Sequence, residues 1–141
     1  MNLQFITAQE RDIPVIFGQA KGLIDTYENL ETIDYDKVMD WVQRKITKYI
    51  SSYTVVLSDD MPCAYYRLCQ DGELDDLYVL PAFQNRGIGS KILEKCIFES
   101  ENPLYLYVFS GNIPAISFYE KHGFSVREKV GKTRLILERK G

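Results

Sequence analysis

Nothing in the chain's 141 residues approaches the roughly 20-residue apolar run that a membrane-spanning helix needs, so no membrane association is expected. Met1 to Glu10 also lacks a basic stretch leading into a long apolar one, which argues against a secretory signal. Cysteine is scarce: Cys63, Cys69 and Cys96 are odd in number and show no CxxC spacing. They read as reduced, buried thiols of a cytoplasmic protein, with neither a disulfide framework nor a metal site. Positive charge is in deficit too. With 17 Lys and Arg against 20 Asp and Glu, the formal charge is −3 and the pI about 5.2. Such a surface repels nucleic acid and anionic lipid, so neither is expected as a partner. Repeats, linkers and low-complexity tracts are missing, which leaves a single domain over residues 1–141.

What is present suits an ordinary packed domain, with 45% hydrophobic and 26% charged residues. Leu3 to Thr7 alternates as a first strand. A helix is predicted from near Asp12 to Glu28, with Asp12 as cap and Pro14 tolerated in the first turn. Its apolar positions Ile13, Ile16, Phe17, Ala20, Leu23, Ile24 and Tyr27 recur at helical spacing. A second helix fits Tyr35 to Tyr49, where Val38, Trp41, Val42 and Ile46 share a face. Glu28, Glu31, Asp34 and Asp36 make the join between these helices acidic.

Strands follow at Tyr53–Leu57, Cys63–Cys69 and Glu73–Leu80. Ser58-Asp59-Asp60 marks one turn, and Asp71-Gly72 is the strongest hairpin signal, predicting a type I′ turn. The apolar stripe Ile88, Ile92, Leu93, Cys96 and Ile97 predicts a helix from Gly87 to about Glu101. Leu104–Phe109 is a strand, Asn112 caps a short helix ending near His122, and Gly123 suits its left-handed terminator. Ser125–Val130 and Thr133–Glu138 form a closing hairpin around Gly131-Lys132. The order β-α-α-β-β-β-α-β-α-β-β contains a βαβ unit, which demands a parallel pair in a mixed α/β sheet covered by helices on both faces.

The segment Leu77-Tyr78-Val79-Leu80-Pro81-Ala82-Phe83-Gln84-Asn85-Arg86-Gly87-Ile88-Gly89-Ser90 is the most informative. A strand ends at a proline, and two glycines open a helix. Amides of a helix's first turn have no internal partner and lie at the positive end of the macrodipole. Gly87 and Gly89 would let a phosphate reach them, with Arg86 adding charge and Ser90 a hydroxyl. A dinucleotide fingerprint is excluded because Ile92 stands where GxGxxG needs glycine. No Gly-Lys-Ser/Thr occurs either, so a P-loop is excluded.

Gln84-Asn85-Arg86-Gly87-Ile88-Gly89 resembles the Q/R-x-x-G-x-G/A signature of the GNAT superfamily of acyl-CoA N-acyltransferases. Asn112 to Phe124 resembles that family's second motif, N-x-x-A-x-x-F/L-Y-x-x-x-G-F. The resemblance implies a GNAT-type fold with a splayed central parallel strand pair. It also implies acetyl-CoA as co-substrate, no metal, and transfer of acetyl to an amine by direct attack. Many relatives pair as homodimers. By the same resemblance, Gln84, Asn85, Arg86, Gly87, Ile88, Gly89 and Ser90 hold the CoA pyrophosphate. Leu77, Tyr78 and Val79 pair with the pantetheine arm as with an added strand, and an amide near Val79 holds the developing oxyanion. Asn112 contacts the cofactor, although its pattern is equally that of a plain N-cap. Tyr119 matches the tyrosine that protonates the departing thiolate, against the alternative of a core tyrosine.

Glu73, 14 residues before Gly87, matches a catalytic base of protein-lysine-acetylating relatives. It could equally be a solvated residue after its turn. The need for a base is real: a lysine-like amine of pKa about 10.4 is short of its neutral form by ~4.6 kcal/mol at pH 7, an α-amine by only ~1. Asp75 and Asp76 are nearby substitutes, expected on opposite strand faces. Tyr107 stands where relatives that acetylate ribosomal protein N-termini carry glutamate, which weakens an α-amine reading. His122, at its helix C-terminus, reads as a dipole partner rather than a catalyst. The acidic join, with Glu73, Asp75 and Asp76, hints at a cationic amine or a protein lysine as acceptor. A non-catalytic acyl-CoA-binding or sensing module is the rival reading.

Overall fold

Helical spacing of Ile13, Ile16, Phe17, Ala20, Leu23 and Ile24 does produce one buried face, on α1 (Ile13–Tyr27), in the computed structural model, which describes residues 2–140. The remaining elements follow the expected order: β1 (Leu3–Thr7) before α1, then α2 (Tyr35–Lys48), β2 (Thr54–Ser58), β3 (Met61–Leu68) and β4 (Leu74–Val79). After them come α3 (Ile88–Glu99), β5 (Tyr105–Phe109), α4 (Ile113–Lys121), β6 (Phe124–Val130) and β7 (Arg134–Arg139). Two predicted details change at the helices. Asp12 precedes α1, but its carboxylate accepts a 2.8 Å hydrogen bond from the Gln9 N–H instead of capping the helix. Trp41 is 62% exposed, with the Lys45 ammonium over its ring, so the buried stripe of α2 is carried by Val42 and Ile46.

The strands form two sheets, β1-β2-β3-β4 and β5-β7-β6, each with antiparallel pairing throughout. The parallel pair demanded by the βαβ unit shrinks to one bridge, Glu73 to Tyr105, where the Tyr105 N–H donates to the Gly72 carbonyl at 3.1 Å. Beyond that bridge β4 and β5 diverge, and β5 takes β7 as its partner. The single mixed sheet of the sequence reading is therefore a split one.

Turn chemistry explains how the closed end is made. Gly72 N–H donates to the Cys69 carbonyl and Cys69 N–H to the Glu73 carbonyl, closing a loop of Gln70, Asp71 and Gly72. Only Gly72 has positive φ there (99°), so this is a three-residue loop ending in a left-handed glycine, not the predicted type I′ turn. Paired positive φ occurs instead at Asp59 (49°) and Asp60 (68°), between β2 and β3, where short polar side chains tolerate it.

Period-two alternation sends neighbouring side chains into two cores. Val56, Ala64, Leu74, Leu106 and Leu137 pack with Ile92 and Leu93 of α3. Val55, Tyr65 and Tyr78 pack on the other face with Ile16 of α1 and Ile46 of α2. Cys63 and Cys96 are buried as expected, whereas Cys69 is half-buried; all three are free thiols.

Register breaks once in β4. Arg67 pairs with Asp76 and Leu68 with Leu74, which leaves Asp75 as the extra residue of a β-bulge. Gly72 marks the other tight spot, because a Cβ there would lie 2.3 Å from the Pro103 carbonyl oxygen. Gly72→Ala is expected to lower unfolding stability by about 2–3 kcal/mol, read by urea denaturation, since it adds left-handed strain to that collision.

Candidate active site

Where β4 ends, a short 3-10 turn (Pro81–Phe83) leads into an exposed loop of Gln84, Asn85, Arg86 and Gly87. Asn85 (φ 63°) and Gly87 (φ 79°) are both left-handed, and Gly87 caps α3. The first bond of the helix runs from the Lys91 N–H to the Gly87 carbonyl at 3.1 Å. The amides of Ile88, Gly89 and Ser90 are thus left without helical partners at the positive end of α3. A Cβ on Gly87 would meet nothing within 4 Å, so this glycine supplies the backbone angle and an open approach. Gly89 serves a different purpose. Its Cβ would sit 3.3 Å from the Phe118 ring and 3.7 Å from Val79 Cγ2, so it lets α3 pack closely on α4 and β4.

Two side chains of this segment are already engaged. Gln84 Nε2 donates to the Val79 carbonyl at 3.0 Å, tying the loop to the strand end. The Ser90 hydroxyl lies 3.1 Å from His122 Nε2, and that ring packs tilted against Phe118, with centroids 4.9 Å apart. The Ile88 side chain is buried in the core, so only its backbone amide is offered at the start of α3.

The adjoining edge of β4 is open. Leu80 N–H donates to the Cys63 carbonyl, and the register places Tyr78 opposite Tyr65. By antiparallel alternation, Tyr78 directs its backbone groups at β3 while Leu77 and Val79 direct theirs away. Among the described residues no strand pairs with that side of β4 beyond the bridge at Glu73. With the Val79 carbonyl held by Gln84, the Leu77 and Val79 N–H groups remain as outward donors.

Between the diverging strands lies a cleft of about 1190 Å³ whose walls include α1, α2, β4, β5 and Tyr119. The bulge places Asp75 and Asp76 on the same face of β4, which corrects the expectation of opposite faces. Asp75 accepts from Lys45 Nζ at 2.7 Å and Arg67 Nη1 at 2.5 Å. Asp76 instead accepts from the hydroxyls of Tyr53 (2.8 Å) and Tyr78 (2.7 Å). Burial, reinforced by the Asp75 charge and opposed by Lys45, pushes the Asp76 carboxyl up to about 6. Burial also raises Glu73, again with help from Asp75. Tyr119 is buried, and desolvation followed by the Asp76 charge raises its phenol well above the ordinary value, so it holds its proton at neutral pH. Asn112 Oδ1 accepts from the Ala115 N–H at 3.3 Å and caps α4, while the residue also lines the cleft.

The family model of the acetyltransferase (GNAT) family matches residues 21–124. The chain belongs to that family. Acetyl-CoA is accordingly its co-substrate, and free amides at the start of α3 beside an unpaired strand edge are groups that fit such a ligand. Solved structures similar to this GNAT chain include PaiA N-acetyltransferase from Thermoplasma acidophilum in complex with coenzyme A. It is 20% identical at a TM-score of 0.72, with 100% of both chains covered. YjaB from Escherichia coli in its apo form is 20% identical at 0.74, covering 100% of this chain and 99% of that one. YncA from Salmonella typhimurium with its cofactor acetyl-CoA is 19% identical at 0.62, covering 98% and 92%. No curated protein matches the chain in sequence. Among the described residues no helix is long and apolar enough to cross a membrane.

Sequence reasoning passed over Tyr53, Lys45 and Arg67 in this GNAT site; it singled out Tyr78 for its backbone and Asp75 as a substitute base, not for the side-chain contacts they make here. Two adjacent acids in a strand otherwise rich in apolar residues were the available signal. A carboxyl whose folded pKa exceeds its unfolded value contributes stability present below pH about 4 and lost as pH rises through about 6. Asp76→Asn is therefore expected to flatten the fall in urea-unfolding stability between about pH 4 and pH 7, compared with the unchanged chain.

Proposed function

We propose that this chain transfers the acetyl group of acetyl-CoA to a primary amine by direct attack while both reactants are bound. The observation that carries this reading is the open edge of β4: two outward amides, Leu77 and Val79, stand beside a helix start with free N–H groups. An extended amide-bearing chain can add to that edge as a strand does, and its diphosphate end would reach the α3 amides of Ile88, Gly89 and Ser90. Arg86 is exposed alongside and supplies a neutralising charge, and Asn85 with Gly87 shapes the concavity. Gln84 acts by holding the Val79 carbonyl, which leaves the strand's N–H groups as the donors on offer.

An outward β4 amide aimed at the thioester carbonyl would stabilise the developing oxyanion. Tyr119, kept protonated by burial and a nearby negative charge, is the acid for the departing thiolate. Glu73 is the proposed base. Its carboxyl lines the cleft, is raised by burial, and accepts no hydrogen bond among the described residues. A carboxylate with raised pKa takes a proton from an ammonium more readily than an ordinary one, which shortens the deficit of a lysine-like amine. Holding amine and thioester side by side supplies further acceleration without a covalent enzyme intermediate. Three free thiols support the cytoplasm as the proposed compartment.

Calorimetry with acetyl-CoA, followed by release of free CoA across an amine panel, tests the proposal. Binding with turnover supports it, and binding without turnover across the panel would favour a sensing module. Saturation at 100 times Kd should stabilise the domain by about 2.7 kcal/mol. Gly87→Val is expected to abolish that gain while far-UV circular dichroism stays that of a folded chain; unchanged affinity would refute the loop. Tyr119→Phe should lower kcat by about 10²-fold or more with acetyl-CoA affinity held, and full activity would remove its acid role.

A further inference from the structure

The chain has one histidine, and the fold holds it more firmly than a plain helix end requires. His122 follows α4, where Gly123 turns the backbone with a φ of 89°. Its carbonyl accepts from Arg139 Nε at 3.1 Å, which pins the backbone to β7. Its ring lies against Phe118, whose own ring occupies the space that Gly89 leaves open. Nε2 then meets the Ser90 hydroxyl, which has no other hydrogen-bond partner among the described residues. Anchors from β7, α4 and α3 thus fix one half-buried imidazole beside the start of α3.

Ser90 carries one of the three amides that have no helical partner, and its hydroxyl hangs from the same Cα. An anion that accepts the Ser90 N–H therefore lies within reach of that hydroxyl. A hydroxyl has a single proton, so it cannot donate to His122 and to the anion at once. With Nε2 bare, Ser90 gives its proton to the ring and turns only lone pairs to the anion. With a hydrogen on Nε2, the ring donates to Ser90 Oγ, and the hydroxyl proton is free for the anion. The 3.1 Å contact permits either arrangement.

Two helix ends compete over the choice. The ring stands at the negative end of α4, which favours imidazolium, and beside the positive end of α3, which opposes it. The charged side chains that share its surface recess are Glu94 of α3, Lys121 of α4 and Arg139 of β7. A diphosphate on the α3 amides reverses the sign of the opposing end. We infer that His122 is a positioning residue of the CoA site. As the diphosphate binds, the ring takes up a proton from solvent and Nε2–H donates to Ser90 Oγ, which turns the Ser90 hydroxyl to the anion. This rests on the α3 start being the diphosphate site, as proposed above. The loaded protein then holds more protons than the free one, so affinity rises as pH falls through the imidazole titration. The gain is complete where the ring is protonated in both states and absent where it is neutral in both.

Nuclear magnetic resonance on the full chain reads this directly, because one histidine gives one imidazole signal. The probe is dephospho-CoA, which keeps the diphosphate and lacks a phosphate monoester that would itself ionise near pH 6. It is expected to move the midpoint of the imidazole titration up by about half a unit or more, with calorimetry showing about twofold or more tighter binding at pH 6 than at pH 8. Ser90→Ala should remove most of both effects. His122→Gln, whose side-chain amide is a donor that does not titrate, should flatten the pH dependence and bind at pH 8 more tightly than His122→Phe. A midpoint that stays put, or that moves as far in Ser90→Ala as in the unchanged chain, overturns the inference and leaves the diphosphate site standing. Absence of binding, or binding that Gly87→Val does not weaken, removes the α3 site and the inference with it.

Discussion

A single parallel contact between β4 and β5, made at Gly72 and Tyr105 and nowhere beyond, is the constraint on which this molecule turns. Were the two strands zipped along their length, every β4 amide would be satisfied and the cleft would vanish. They part where the bulge at Asp75 twists β4 away from a flat ladder, while β5 keeps its other edge on β7. Unpaired backbone groups are tolerable only where water or a ligand can reach them. The open edge of β4 meets that condition by facing the cleft.

The same bulge governs the electrostatics. It turns two neighbouring acids to one side, where mutual repulsion and burial would penalise both if they shared a single environment. The fold separates them by partner. Asp75 is tied to Lys45 and Arg67, while Asp76 is held by the hydroxyls of Tyr53 and Tyr78. Two cations therefore sit on one acid while burial eases protonation of the other, one residue apart.

Much of the fold was legible in the residues because the rules involved are local. The order of elements followed from apolar spacing, the start of α3 from Gly87, and the end of α4 from Gly123, whose φ of 89° only glycine adopts freely. Asn112 capping α4 needed no more than its own neighbours. Local rules told less where a partner lay elsewhere in the chain. Gly89 looked like a phosphate contact and is also a packing glycine, because Phe118, 29 residues on, occupies the space. The Ser90 hydroxyl looked available and meets His122. Trp41 looked like core and stands outside it, with Lys45 over its ring.

By itself the sequence determined the kinds of element, their order, and the helix start with its bared amides, since each depends on backbone angles and spacings within a few residues. Tertiary structure alone decided the split of the sheet, the register slip that turns Asp75 and Asp76 to one face, and the cluster in which Lys45 and Arg67 meet Asp75. These depend on which strands pair and on charges brought together from α2, β3 and β4, and no local rule carries information over that distance.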